Sequence, residues 1–334
     1  MGFLTKDVAI DLGTANTIIY VKGKGIAIRE PSVVAIDRYT GKVVAVGNEA
    51  NKMIGRTPEN IIAIRPMKDG VIADFDITQA MIRHFIRKAD VVGIMKPRVV
   101  VCIPSGITEV ERRAVEEAVI QAGAKDVALI EEPLAAAMGA GLPIERAAGS
   151  MVMDIGGGTT EVAVISMGGI VSSRSIRIAG DAMDNAIVNY LKKNLGINVG
   201  DKTAEEIKIK IGSAYEDETE EVTDVRGRDV RTGMPKTVQV RESQIREAMR
   251  ENIEEMLEAV KLTLEHTPPE LASDVMERGI MLTGGGALIK GLDKLLIESA
   301  KIPAHVAEYP LDCVAIGTGK ALGNIKGIMT KNRY

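Results

Sequence analysis

The chain has 334 residues, of which 46% are hydrophobic and 26% charged, and its net charge is −4. That length supports a large buried core and two domains of ordinary size, and the balance of apolar to charged residues excludes a disordered chain. A mildly acidic chain lacks the electrostatic footprint of a nucleic-acid binder, and its two distant cysteines and three scattered histidines give neither a disulfide framework nor a metal-ligand spacing.

Met1 to Asp7 holds no long apolar run, and no segment approaches the ~18 apolar residues of a membrane span, so a soluble or membrane-peripheral protein is expected. The first element is read from Val8-Ala9-Ile10-Asp11-Leu12-Gly13-Thr14-Ala15-Asn16-Thr17. An apolar strand runs into an aspartate, a turn of small residues follows, and a second strand covers Ile18 to Lys22; this is a β-hairpin. Asp76-x-x-Gln79 predicts the start of a helix with Met81, Ile82, Phe85, Ile86 and Ala89 as its apolar stripe. Val91-Val92-Gly93-Ile94-Met95 then stands where a polar loop is expected, flanked by Arg87, Lys88, Lys96 and Arg98. After a strand over Val99 to Ile103, Thr108-x-x-Glu111 is a capping box for a helix to about Ala122. Ile130-Glu131-Glu132-Pro133 places two acids before a helix expected over Leu134 to Ala140, with Pro133 suited to a first turn. The acids serve the helix dipole, or one of them faces a cleft and orients a water for attack on a γ-phosphate.

Met151-Val152-Met153-Asp154-Ile155-Gly156-Gly157-Gly158-Thr159-Thr160 echoes the first hairpin, with Val162 to Ser166 as its second strand. Two copies with matched flanking strands predict two related domains facing each other. Thr203-x-x-Glu206 predicts a helix with Ile207 and Ile211 inward, and Glu216 to Glu221 an acidic, solvated loop. Strands around Thr232-Gly233 suggest a small β-containing subdomain. The longest helix is read from about Glu242 to His266, with Ile245, Met249, Ile253, Leu257, Val260 and Leu264 inward, stopped by Thr267-Pro268-Pro269. A last strand, Gly279 to Leu282, runs into Thr283-Gly284-Gly285-Gly286-Ala287 and a helix.

Small residues at a hairpin tip let backbone N–H groups converge on phosphate oxygens, which larger side chains would block. Gly13, Thr14, Ala15 and Asn16 form one such tip, and Gly156, Gly157, Gly158, Thr159 and Thr160 the other. Asp11 and Asp154 would repel a bare phosphate; they make sense as positioners of Mg²⁺, held through water. The third glycine cluster can lie flat against a purine or ribose. Neither a Walker sequence nor a helix-opening G-x-G-x-x-G is present, so P-loop and Rossmann folds are excluded.

With these features the chain resembles the superfamily of actin, sugar kinases and heat-shock chaperone ATPases. Within it the chain is similar along nearly its whole length to the MreB family, the MreB/Mbl group of bacterial actin-like proteins. The residues that carry the resemblance are Glu30-Pro31-Ser32-Val33-Val34-Ala35, the run Arg65 to Asp74, Asp154 to Glu161, Thr267-Pro268-Pro269-Glu270-Leu271, and Asp312 to Gly319. It implies an α/β, actin-like (RNase H-like duplicated) two-domain ATPase fold with four subdomains. Residues 1–31, 65–145 and 315–334 would form subdomain IA, 32–64 IB, 146–181 and 241–314 IIA, and 182–240 IIB.

The resemblance further implies ATP and Mg²⁺ as cofactors. Thr14, Ala15 and Asn16 would line the first phosphate loop, and Gly158, Thr159 and Thr160 the second. Glu205, Glu206 and Lys208 would reach the ribose and base, and Gly285, Gly286, Ala287 and Leu288 would wall the adenosine. Glu131 matches the position that orients the water, with Thr159 supporting it. A slow ATPase is expected, polymerising head to tail into paired filaments on the inner face of the cytoplasmic membrane, where they work with the cell-wall elongation machinery. Only six residues precede Asp7, too few for a useful amphipathic helix. Membrane contact is therefore expected mainly from Val92, Ile94 and Met95, with Phe3 and Leu4 beside Lys6 as a smaller element. A small-molecule kinase of the superfamily and an ATP-binding adaptor that barely polymerises remain as alternatives; a chaperone ATPase would need a further peptide-binding domain.

Overall fold

The computed structural model describes residues 6–91, 96–325 and 328. β1 (Val8–Leu12), β2 (Asn16–Val21) and β3 (Gly25–Pro31) form an antiparallel meander, with Val8, Ile10, Ile19 and Val21 fully buried. β4 (Val34–Asp37), β5 (Val43–Val46), the short helix α1 (Asn48–Asn51) and β6 (Ile61–Ile64) build a separate small sheet of order β5-β4-β6. β7 (Met67–Lys68) and β8 (Val71–Ile72) flank a turn that holds Asp69 at φ 51°.

α2 (Phe75–Lys88) begins two residues earlier than the sequence suggested, because Asp74, in extended conformation, accepts from the Ile77 N–H at 3.1 Å and is the cap. Asp76 is a first-turn acid instead, and the expected stripe is buried. β9 (Arg98–Ile103), α3 (Glu109–Ala122) with its Thr108–Glu111 capping box, and β10 (Asp126–Glu131) follow. α4 (Glu132–Gly139) starts at Glu132 rather than Leu134: Glu131 is the extended cap residue, and Pro133 is tolerated where first-turn N–H groups have no helical partner. β9 and β10 run parallel to β1, which gives the sheet order β10-β9-β1-β2-β3.

The second half repeats this plan. β11 (Ser150–Ile155), β12 (Thr160–Ser166) and β13 (Gly169–Ile176) are the meander. α5 (Gly180–Asn194), β14 (Ile197–Asn198), α6 (Asp201–Ile211), β15 (Val222–Asp229) and β16 (Pro235–Arg241) come next, with a small β14-β15-β16 sheet. α6 opens after Gly200, two residues before Thr203, which lies in its first turn. α7 (Glu242–Glu265), α8 (Pro269–Arg278), β17 (Ile280–Thr283), α9 (Leu292–Ala300), β18 (Ala304–Val306) and α10 (Cys313–Ala321) complete the chain order. The sheet reads β13-β12-β11-β17-β18, with β17 and β18 parallel to β11. Strand for strand this is the topology of the first sheet, so the sequence echo marks a duplicated fold of two lobes.

α4 and α10 join the lobes. A Cβ on Gly139 would lie 1.8 Å from the Cys313 carbonyl oxygen, and one on Gly317 1.8 Å from that of Ala135. Only glycines permit backbones to cross this closely. Beneath them one apolar core combines Ala9, Val100 and Cys102 of the first sheet with Val152, Ala163 and Ile165 of the second. Cys102 and Cys313 are buried free thiols. Among the described residues no helix is long and apolar enough to cross a membrane. Phe3, Leu4, Val92, Ile94 and Met95 lie outside the described residues; their neighbour Val91 is buried in the core of the first lobe.

Candidate functional site

The two hairpin tips meet at the seam between the lobes. A Cβ on Gly157 would stand 2.7 Å from the Ala15 Cβ, and one on Gly158 2.5 Å from Thr14 Oγ1 and 2.9 Å from the Asp69 Cα. Thr14 Oγ1 accepts from the Gly70 N–H at 2.9 Å, which locks the Asp69-Gly70 turn onto the first tip. The Gly13 carbonyl accepts from Ser32 Oγ at 2.7 Å. In the second tip the Gly156 N–H donates to the Thr159 carbonyl at 2.9 Å, and the Asp181 N–H of α5 donates to the Gly157 carbonyl at 2.8 Å. Thr160 Oγ1 donates to the Ile178 carbonyl at 2.6 Å and so serves the fold, whereas Asn16 is exposed at the tip.

Four carboxylates converge behind these tips. Burial and then the charge of Asp154 push Asp11 up to about 7. Burial pushes Asp154 up to about 6, against the donation from Thr283 Oγ1 at 2.6 Å that favours its charge. Glu132, buried in the first turn of α4, is raised well above the usual carboxylate range by burial and by the charges of Glu161, Asp11 and Asp154. Glu161, fully buried in β12, is raised to about 7 by burial although Ser105 and Ser175 donate to it. Buried acids in mutual repulsion call for a cation. No group of three or more ligating side chains is poised to hold one among the described residues. The chemistry fits an ion that brings its own phosphate and water ligands, as Mg²⁺ does.

The two glutamates of the Glu131-Glu132 pair diverge. Glu131 ends β10 as a half-buried cap residue, while Glu132 faces the other acids and has no hydrogen-bonding side chain among the described residues. Thr159 is buried, with Gly70 packed against its methyl, and lines a polar cavity of about 360 Å³ shared with Pro104, Ser105, Ser175 and Arg177.

The expected ribose and base residues fall on two elements. Lys208 of α6 donates to the Gly180 carbonyl at 2.9 Å and pairs with Asp184 at 2.8 Å. Glu205 is half-buried beside it and Glu206 is exposed. Gly286 lies flat on Ile155, where a Cβ would be 2.2 Å from Cγ2; Ala287 is buried, and Gly285 and Leu288 are exposed. Two residues of the site, Asp181 and Asp184, belong to no motif in the sequence. Asp184 holds Lys208, and Arg65 crosses the seam to Asp181 at 3.0 Å. Their only sequence signal is two acids in the first turns of the helix after the second hairpin. Glu161 was legible as one charge in an apolar strand.

Comparison with known proteins follows the same lines. The model of the MreB/Mbl protein family matches residues 5–330. The chain is 57% identical to the cell shape-determining protein MreB of Escherichia coli strain K12, covering 96% of this chain and 94% of that one. It is 54% identical to the cell shape-determining protein Mbl of Bacillus subtilis, covering 96% of each. The crystal structure of MreB5 of Spiroplasma citri bound to ADP superposes with a TM-score of 0.92 at 38% identity, covering 98% of both chains. A MamK double helical filament matches with a TM-score of 0.82 at 19% identity over 95% of this chain and 98% of that one, which marks the fold as actin-like.

Proposed function

The chain belongs to the MreB/Mbl family of cell shape-determining, actin-like proteins, and from that premise we propose that it binds ATP with Mg²⁺ at the seam, hydrolyses it slowly, and assembles head to tail into paired filaments on the inner face of the cytoplasmic membrane. There it would work with the cell-wall elongation machinery. What carries the nucleotide assignment is the contact of the two glycine-rich tips directly above buried, mutually repelling acids. The nucleotide-bound structures of Spiroplasma citri MreB5 support it, one with ADP and one with AMPPNP.

The tips Gly13 to Asn16 and Gly156 to Thr159 would bind the phosphates by backbone N–H groups. Asp11 and Asp154 would hold Mg²⁺ through water, and that ion supplies charge neutralisation on the phosphates. Glu132 is the better-placed group to orient the attacking water: it is buried beside the other acids, its oxygens are uncommitted among the described residues, and the charge acting on it most strongly, Glu161 of the other lobe, lies two residues from Thr159. Glu131, the sequence-based choice, ends a strand instead. Lys208, fixed by Asp184, and the half-buried Glu205 would meet the ribose, and the Gly284–Leu288 turn the adenine. Because each lobe supplies one tip, nucleotide state would set their angle, and a head-to-tail contact that does not close on itself gives an open filament. Residues 32–64, the small sheet, offer one longitudinal surface.

For the membrane, Val92, Ile94 and Met95, with Phe3 and Leu4, remain the contact we propose. Each monomer would hold weakly and a filament firmly, through repetition. Co-sedimentation with Mg²⁺–ATP, with and without anionic liposomes, tests assembly and attachment together. Pelleting with ATP alone, increased by liposomes and reduced in Ile94→Ser/Met95→Ser, is expected. ATP binding with no pelleting over a wide protein and salt range would instead favour the adaptor.

A further inference from the structure

The duplicated hairpins differ at one telling position. In the first, Asp11 stands opposite Ile18 across the strand pair; in the second, Asp154 stands opposite Glu161. Ile18 is 4% exposed and Glu161 0%. The fold is thus content with hydrocarbon in this slot. A carboxylate there is doubly costly, since it is withdrawn from water and faces a like charge on the same sheet surface. Packing does not ask for it.

Its hydrogen bonds say what it does. One oxygen accepts from the Ser105 N–H at 3.1 Å and from Ser105 Oγ; the other accepts from Ser175 Oγ. Ser175 is its own neighbour in the sheet, opposite it on β13. Ser105 belongs to the other lobe, two residues beyond the end of β9. Glu161 therefore holds one lobe with each oxygen. It also sits two residues from Thr159. The loop that carries Ser105 begins at Pro104, whose ring and the Thr159 methyl together enclose Gly70: a Cβ there would be 2.7 and 3.0 Å from them.

We propose that Glu161 is a positioning residue for hydrolysis, pinning the Pro104-Ser105 loop of the first lobe to the second phosphate hairpin and so setting where Glu132 stands relative to Thr159. This rests on Glu132 as the group that orients the water. The pin is positional: it needs a hydrogen bond at each of two points, not a negative charge. Glutamine can supply them, with its oxygen accepting from Ser105 and its amide donating to Ser175 Oγ. Leucine supplies neither, yet copies the apolar first hairpin.

The test uses the full chain, with phosphate release on Mg²⁺–ATP, melting temperature, and hydrogen exchange of the Ser105 amide without nucleotide. Glu161→Gln is expected to keep kcat within about threefold of wild type. Glu161→Leu is expected to melt no lower and to keep KM within about threefold, yet to lose at least about tenfold in kcat. Its Ser105 amide should exchange at least about tenfold faster. Ser105→Ala should lower kcat severalfold at unchanged KM, while Ser175→Ala, confined to one lobe, should have little effect. If Glu161→Leu does not fold, the two serine variants decide. Wild-type kcat in Glu161→Leu or in Ser105→Ala overturns the proposal, as does a Gln variant as poor as Leu, or unchanged Ser105 exchange. The exchange result does not depend on the role of Glu132. If Glu132→Ala hydrolyses normally while Ser105 exchange rises in Glu161→Leu, the water-orienting assignment fails and the pin stands.

Discussion

Ala15 and Gly157 meet tip to tip across the seam, with room for one methyl group between them: a Cβ on Gly157 would approach that of Ala15 to 2.7 Å. Gly157→Ala must therefore push the two glycine-rich hairpins apart. Its affinity for Mg²⁺–ATP should fall by at least about tenfold, ~1.4 kcal/mol. Adding Ala15→Gly removes the opposing methyl and leaves the next contacts at 3.2 and 3.5 Å, so the double variant should recover most of the loss. Calorimetric titration of the four proteins checks this, and additive losses would show that the tips do not act as a unit.

The α4–α10 crossing offers a second clash, one with no flexible neighbour. Gly139→Ala drives a methyl into the Cys313 carbonyl, and the helices must separate over the core shared by both lobes. Overpacking of this kind costs on the order of 3 kcal/mol. A melting temperature several degrees lower is expected, whereas Gly123→Ala, which meets no atom within 4 Å but sits at φ 124°, reports backbone strain alone. Equal melting of Gly139→Ala and wild type would mean that the crossing is looser than described.

The buried acids make stability depend on pH. Asp11 and Glu161 lie at about 7 and Asp154 at about 6 when folded, against ordinary values of 3.8 for Asp and 4.5 for Glu. Their folded values are raised, so folding is favoured while they hold protons, and that contribution is lost as pH rises from about 4 through 7. The ligand-free protein should melt higher near pH 5.5 than near pH 7.5. Asp11→Asn should flatten the difference, and Mg²⁺–ATP should raise melting more at pH 7.5 than at 5.5. A melting temperature that climbs steadily with pH in the ligand-free protein would show that these acids do not govern the trend.

Much of this was legible in the sequence, for definite reasons. Alternating and continuous apolar runs around two Asp-containing turns repeat closely enough to reveal the duplication before any sheet is seen. The stripe of α2 and that of α7 follow from the 3.6-residue period. Boundaries were less accessible. Asp74 and Asp76 are both plausible caps, and only backbone geometry tells which carbonyl-side residue is extended. The same ambiguity governs Glu131 and Glu132, since one residue of helix phase decides which carboxylate enters the seam. Lys208–Asp184 and Ser105–Glu161 join residues 24 or more positions apart, and no local pattern encodes them.

The most direct measurement of the whole account is phosphate release under single turnover, with bound ATP quantified in the same samples, for wild type, Glu132→Gln and Glu131→Gln. Positioned acid–base groups contribute roughly a hundredfold or more. Glu132→Gln should bind Mg²⁺–ATP as wild type does and release phosphate at least about a hundredfold more slowly, while Glu131→Gln stays near wild type. Full nucleotide occupancy with an unslowed Glu132→Gln, and the loss carried by Glu131→Gln instead, would contradict the placement of the hydrolytic centre at the carboxylate cluster between the lobes.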